Sequence, residues 1–342
     1  MIKFKNIQIC NSKPPVIITE LGINHSGSLD KAIFLAERAL ANGAKIIKHQ
    51  THIPEEEMSI VAKKIKPGNA NSSIFSVIKR NSLGYEDEKK LMQHINKNGG
   101  IFISTPFCKA AVDRLVKFRV PMFKIGSGEC NNYPLVEYIC KQKKPIILST
   151  GMNDIKSIIP SVKLFRKYKV PFVLLHCTNI YPTNHKLVRL KAMSQMQKAF
   201  PDAIIGLSDH TEGIYTCLGA VSLGAKVIEK HFTDDKKNKG PDISCSMDPR
   251  ELKELILGSK IIHEALNGEK KPLKEEKKTI AFAFASVAAI QNIKKDDVLT
   301  EQNIFPIRPG NGFFKVKDYK KLLGKKVKRN IPKGNQIKKN DL

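Results

Sequence analysis

From Pro15 onward, short apolar runs alternate with stretches of helical periodicity. "VIITE" ends at Glu20, and Ser28 can cap the helical pattern "LDKAIFLAERALANG", with Gly43 as its stop. "AKIIKHQ" rises to Lys48, and a long polar segment from Thr51 to Tyr85 then breaks the rhythm. The alternation resumes with a helix in "EDEKKLMQHINKNG" and the run "IFIST", then "MFKIGSG", "IILST", "FVLLHC", "AIIGLSDH" and "KVIEKHF". Each is followed by a helical pattern such as "KAAVDRLVKF" or "DIKSIIPSVKLFRKY". Short β-branched runs buried on both faces, each leading into a helix, predict a parallel sheet. Eight such units predict a closed (β/α)8 barrel of the TIM type. An open doubly wound sheet is the alternative, but "ELGINHSGS" after the first run carries neither GxGxxG nor a P-loop.

The pattern changes after Asn267. "GEKKPLKEEKKT" reads as a charged linker, and the chain beyond it turns to short strands separated by turn residues. The predicted organisation is a catalytic barrel over 1–266, a linker over 267–278 and a small, mostly β domain over 279–342.

Composition narrows the picture. The 342 residues, 41% hydrophobic, suffice for one large core and a small second domain. No apolar run reaches roughly 18 residues, so no membrane span is expected, and the N-terminus lacks a signal-peptide pattern. The seven cysteines show no CxxC spacing and read as free thiols of a cytoplasmic protein. A net charge of +27 invites a nucleic-acid reading. The excess is scattered lysine with few aromatics and no tryptophan, so a solvated surface is expected and nucleic acid is not an expected partner.

In a barrel of this kind the chemistry sits at the C-terminal ends of the strands. Those ends carry Glu20, Lys48 with Gln50, Thr105, Lys124 with Ser127 and Glu129, Ser149, Asn179 with Tyr181, Ser208 with His210, and Glu229 with His231. Lys48 and Lys124, ringed by the hydroxyls of Thr105, Ser127 and Ser149, predict a pocket for a small multiply charged anion. The bland alternative is that both lysines snorkel to the rim. His210 and His231 fall on neighbouring strands about 4.8 Å apart, so both imidazoles can reach one divalent ion acting as a Lewis acid. Glu129 and Glu20 could each move a proton or pair with a lysine. His25 and His49 read as loop-bonding residues, and Cys130 and Cys177 as inert thiols. Asp242 could reach a sugar hydroxyl or shape its loop.

"ELGINHSGS", "KHQTHIPEEEMS", "ISTPF", "FKIGSGECNNYPL", "ILSTGMN", "LLHCTNIYPT", "GLSDHT", "KHFTDD" and "GPDISCSM" together resemble the bacterial N-acetylneuraminate (sialic acid) synthases. "FAFASV" with "IRPGNG" is similar to that family's C-terminal antifreeze-like (SAF) domain. The resemblance runs over nearly the whole chain. It implies condensation of phosphoenolpyruvate with open-chain N-acetylmannosamine, giving N-acetylneuraminic acid and phosphate. It implies phosphoenolpyruvate on Lys48, Thr105, Lys124, Ser127, Ser149 and Ser208, and a metal, Mn²⁺ first with Mg²⁺ or Co²⁺ as substitutes, on His210 and His231. Glu129 would assist proton transfer. Glu20, Gln50, Phe107, Asn179, Tyr181 and Asp242 would face the sugar. The family also implies a domain-swapped homodimer, with Arg308 and Phe282 brought to the partner's barrel. Asn184 stands where a proline is common. Relatives making legionaminic or pseudaminic acid use diacetamido sugars by the same mechanism. A metal-dependent aldolase or isomerase, or a glycan- or nucleic-acid-binding protein, are the competing readings.

Overall fold

Eight parallel strands close on themselves in the computed structural model, which describes residues 1–66 and 71–342. They are β1 (Val16–Glu20), β2 (Ile46–Thr51), β3 (Ile101–Pro106), β4 (Phe123–Ile125), β5 (Ile146–Ser149), β6 (Phe172–Cys177), β7 (Ile204–Asp209) and β8 (Val227–His231). Each pairs with the next, and β8 closes the ring on β1. The predicted (β/α)8 architecture is therefore the observed one.

Side-chain alternation builds two cores from these strands. Outward residues such as Ile17, Ile47, Phe102, Phe123, Leu174 and Ile228 pack against the surrounding helices. Inward residues, among them Ile18, Ile46, Ile103, Ile147, Leu175 and Val227, fill the barrel interior. The same interior core includes Ile2, Phe4, Ile7 and Ile9 of an N-terminal antiparallel hairpin, Ile2–Phe4 with Ile7–Ile9. The apolar alternation IKF–IQI at the start of the chain carries this hairpin, which the strand–helix rhythm from Pro15 does not include.

The helices follow their local signals. Ser28 accepts from Lys31 N to cap Leu29–Ala41. Asp248 and Glu251 form a capping box that opens Pro249–Ala265, with Pro249 in its first turn. Ile155–Tyr168 continues through Pro160. The polar segment after β2 contains two short helices, Pro54–Glu57 and Ile74–Asn81, while residues 67–70 within it lie outside the described residues.

The chain divides into Met1–Asn267 and Gly268–Leu342. In the second unit Ser286–Ala289 pairs antiparallel with Ile304–Ile307 over a small core including Val287, Leu299, Ile304, Leu322 and Ile337. The stretch 267–278 is not linker throughout. It winds into a 3₁₀ turn at Lys274–Glu276 and a helix at Lys277–Ala283, because its Lys and Glu residues favour helix as well as solvation.

Candidate active site

Register decides which strand ends meet. His231 lies opposite Glu20 across the β8–β1 seam, and Glu20 lies opposite Lys48 across β1–β2. One step deeper, Glu229 lies opposite Ser208. The inward positions thus turn from Ile and Val at the base of the barrel to charged and hydroxyl groups at its C-terminal end.

Lys48 is 3% exposed and Lys124 is 1% exposed, so neither snorkels to the rim. Lys48 Nζ pairs with Glu20 and donates to Thr105 Oγ1 at 3.1 Å. Lys124 Nζ donates to Ser149 Oγ at 2.8 Å and to the Ile125 carbonyl at 3.0 Å. Glu229 stands between the two ammoniums, with Oε1 3.5 Å from Lys124 and 3.9 Å from Lys48, and accepts from Ser208 at 3.1 Å. Burial opposes charge on all four groups, and neighbours decide the outcome. Burial pulls Lys124 below the ordinary lysine value despite Glu229, whereas Glu20 and Glu229 outweigh burial at Lys48 and hold it above. Burial likewise raises Glu20, while Lys124 and Lys48 overcome it at Glu229 and hold that carboxylate below its usual range. Glu229 is among the strand-end residues expected at the mouth, but the sequence gives no sign that it neutralises both lysines.

Ser127 accepts from Gly151 N at 3.0 Å, which places its hydroxyl beside the Lys124–Ser149 pair's strand end. A Cβ at Gly151 would lie 1.8 Å from Asn179 Oδ1, so a side chain there would displace the Asn179 amide. Gln50 Nε2 donates to Glu20 Oε1 at 3.2 Å. Phe107 stacks on His52 at 4.2 Å. Glu129, half-buried on the 3₁₀ turn Ser127–Glu129, accepts from Asn132 at 2.6 Å and meets neither lysine. Burial, then the nearby Glu57, raises its pKa.

The two histidines come together as expected, with ring centroids 5.4 Å apart. Tyr181 lies 4.1 Å from the His210 ring and 6.0 Å from the His231 ring. His210 Nδ1 is 3.0 Å from the Thr178 carbonyl, so Nδ1 carries the proton and Nε2 keeps its lone pair. Burial pushes His210 down to about 4 and His231 well below the ordinary histidine value, which keeps both rings neutral near pH 7. His231 Nδ1 is buried with no hydrogen-bond partner, 3.5 Å from Asp242 Oδ2. Among the described residues no third His, Cys, Asp or Glu completes a metal cluster. Two neutral imidazoles, one with its tautomer set by a carbonyl and one beside a carboxylate, fit a divalent ion that leaves most positions to water and substrate.

Outside the barrel wall, Lys230 bonds Asp209 Oδ2 at 2.6 Å and the Thr211 carbonyl at 2.7 Å, joining the ends of the two histidine-bearing strands. His25 accepts from Gly27 N in its loop at 3.1 Å, as expected, whereas His49 bonds His25 at 3.3 Å and Glu88 of the helix Tyr85–Lys97 at 3.1 Å and so does not bond a loop backbone. Burial raises Cys130 to about 12 and Cys177 to about 11, in keeping with inert thiols. Phe282 and Arg308 are exposed residues of the second unit. A groove of about 680 Å³ lies near the opposite end of the barrel, lined by hairpin residues such as Ile7 and by Lys13, Lys45, Lys253 and Lys260. It holds no acid or imidazole and is not the reacting centre.

Residues 35–271 match the NeuB family model and residues 284–342 match the SAF domain. The chain belongs to the NeuB family. As a NeuB-family member it is an enzyme of the sugar-acid-synthase kind. It is similar to the N,N'-diacetyllegionaminic acid synthase of Campylobacter jejuni, 38% identical over 95% of this chain and 99% of the relative. It is also similar to human N-acetylneuraminate-9-phosphate synthase, 32% identical over 92% of this chain and 89% of the relative. Among solved structures, the N-acetylneuraminic acid synthetase of Leptospira borgpetersenii superposes with a TM-score of 0.75 at 31% identity, covering 82% of this chain and 94% of that one.

Proposed function

We propose that this NeuB-family enzyme condenses phosphoenolpyruvate with the open-chain aldehyde of an acetamido sugar, releasing phosphate and forming a nonulosonic acid. The observation that carries the reading is the pair of buried lysines set among hydroxyls beside a neutral histidine pair. N-acetylmannosamine is the acceptor that the motif resemblance implies. The identity to a diacetyllegionaminic acid synthase supports a 2,4-diacetamido hexose equally.

Lys48, Lys124, Thr105, Ser127, Ser149 and Ser208 would bind the phosphate and carboxylate, with Glu20 and Glu229 balancing the lysines until the anion arrives. Gln50, Phe107, Asn179, Tyr181 and Asp242 would line the sugar side. His210 and His231 would hold a divalent ion, Mn²⁺ in this proposal, which when bound supplies Lewis acidity toward the aldehyde oxygen. C3 of phosphoenolpyruvate bonds to the aldehyde carbon, water adds at C2, and the C2–O bond breaks to release phosphate. Glu129, its pKa raised by burial, is suited to hold a proton for one of these transfers. The second unit exposes Phe282, Phe284, Phe313 and Val316, and Arg308 is exposed as well, which supports self-association; a domain-swapped dimer is the form proposed here.

The test is phosphate release with each acceptor, with and without chelator, for the wild type and for His210→Ala and His231→Ala. The proposal expects release that needs both substrates and the metal, and loss of both turnover and Mn²⁺ binding in each variant. Release without any sugar, or full activity in a chelated variant, contradicts it.

A further inference from the structure

The polar segment after β2 breaks the strand–helix rhythm, and the proposed chemistry leaves it without a task. Its first residues form a chain of partly buried hydrogen bonds that ends in the candidate site. His52 Nδ1 lies 2.9 and 3.1 Å from the two carboxylate oxygens of Glu57, on the short helix Pro54–Glu57. His52 Nε2 lies 3.0 Å from Gln50 Oε1, and Gln50 Nε2 donates to Glu20 Oε1 at 3.2 Å. Glu20 in turn pairs with Lys48. Glu57 also accepts from Ile53 N at 3.3 Å, which ties the carboxylate to the loop backbone. The His52 ring lies flat against Phe107 with an interplanar angle of 11°, so its plane is set from a second strand end.

Donor and acceptor logic fixes the arrangement. A carboxylate at Glu20 only accepts, so the Gln50 amide must turn its nitrogen toward it. The Gln50 carbonyl oxygen then faces His52, and His52 Nε2 must donate to it. Nδ1 faces the Glu57 carboxylate. With Nε2–H donating to its oxygen and Glu20 accepting from its nitrogen, the amide is held from both ends. Without that donor the amide is held at one end only, by the long 3.2 Å bond to Glu20, and its oxygen loses the partner that fixes its direction. The second N–H of Gln50 and the second lone pair of its oxygen are what remain for a ligand, so amide orientation decides where the site offers a donor.

We propose that His52, braced by Glu57 and Phe107, is a positioning residue that fixes the Gln50 amide and so selects the hydroxyl and acetamido pattern of the sugar acceptor. The inference rests on the proposed sugar-acid synthesis and gives the loop after β2 the role of a specificity element. It assigns no step of bond making to His52.

His52→Phe keeps a flat ring on Phe107 and removes the donor to Gln50, whereas His52→Gln returns a donor near the Nε2 position. KM for phosphoenolpyruvate and for each sugar would be measured separately, with thermal melts as a check on folding. The expected result is a sugar KM raised about tenfold or more in His52→Phe, a phosphoenolpyruvate KM within about twofold of wild type, and a smaller loss in His52→Gln. Glu57→Gln should shift the sugar KM in the same direction, which gives a second readout if His52→Phe fails to fold. A His52→Phe enzyme with an unchanged sugar KM, or with both KM values raised alike, overturns the proposal. Wild-type protein that turns over no sugar at all refutes the proposed function, an outcome distinct from a failure of the His52 assignment.

Discussion

Lys124→Met separates what the buried charges do for folding from what they do for the substrate. Lys124 Nζ lies 3.5 Å from Glu229 Oε1, and both side chains are almost wholly buried. At an effective dielectric constant of about 20, two unit charges at that range attract by roughly 4–5 kcal/mol, much of it offset by desolvation. Removing one partner of a buried pair typically costs about 3–5 kcal/mol, because the other charge is left behind. Here Lys48 remains 3.9 Å from Glu229 and Ser208 still donates to it at 3.1 Å. The remaining partners bring the expected loss to the bottom of that range or just under it, about 2–3 kcal/mol in urea unfolding. Adding Glu229→Gln removes the orphaned charge, so the double variant should return to within about 1 kcal/mol of wild type. Function should not return with it. A lost charge-assisted contact of about 1.5–3 kcal/mol raises the phosphoenolpyruvate KM by roughly 10- to 150-fold in both variants. A Lys124→Met protein as stable as wild type, or a double variant that regains phosphoenolpyruvate affinity, refutes the reasoning.

Three further outcomes follow. Gly22 sits at φ +53°, where a Cβ would lie 2.8 Å from His231 Nδ1 and 2.9 Å from Asp242 Oδ2. Gly22→Ala should weaken Mn²⁺ binding about tenfold or more by calorimetry, and unchanged affinity would contradict the placement of His231. Acid should destabilise the fold through buried groups that include His25 and Glu88 as well as the histidine pair of the site. Burial, then His49, lowers His25 to about 3, so below the unfolded value near 6.5 the unfolded chain binds the extra proton. Stability then falls with pH between about 6.5 and 3, by up to about 1.4 kcal/mol per pH unit. Burial raises Glu88, but His49, Thr51 and Arg114 outweigh it and leave its carboxylate below the usual range, so its contribution is present above about pH 4.3 and disappears as pH falls through its folded value. Urea midpoints from pH 7 to 4 should show the decline, and His25→Phe should make it shallower. A slope unchanged in that variant would exclude His25 as a source. Finally, Arg308→Ala should raise the sugar KM about tenfold while sparing phosphoenolpyruvate, and equal effects on both would remove Arg308 from the sugar side.

The barrel was legible because each strand is a short apolar run whose register is forced by burial on both faces. His210 and His231 could be placed for the same reason, since two runs that end in histidine and lie next to each other in sequence order also lie next to each other in the ring. Lys48 and Lys124 were legible as strand-end ammoniums whose burial demands partners. The partners were harder to see. Glu229 becomes the counter-charge of both lysines only through the stagger of the strands, which brings β8 beside β1 and β7 and sets Glu229 level with Ser208. His52 and Glu57 lie in a segment with no long periodicity, His52 in the turn after β2 and Glu57 on a one-turn helix, and the chain from Glu57 through His52 to Gln50 depends on that local geometry. The N-terminal hairpin escaped because strands of three residues are too short to show a period.

The most direct test of the account follows the bridging oxygen of phosphoenolpyruvate. The enzyme would be incubated with phosphoenolpyruvate carrying ¹⁸O between C2 and phosphorus, Mn²⁺ and each acetamido sugar, and the products weighed by mass spectrometry. The account predicts a nonulosonic acid free of the label and phosphate that carries it. Label retained in the sugar acid, or phosphate formed with no sugar acid beside it, would contradict it.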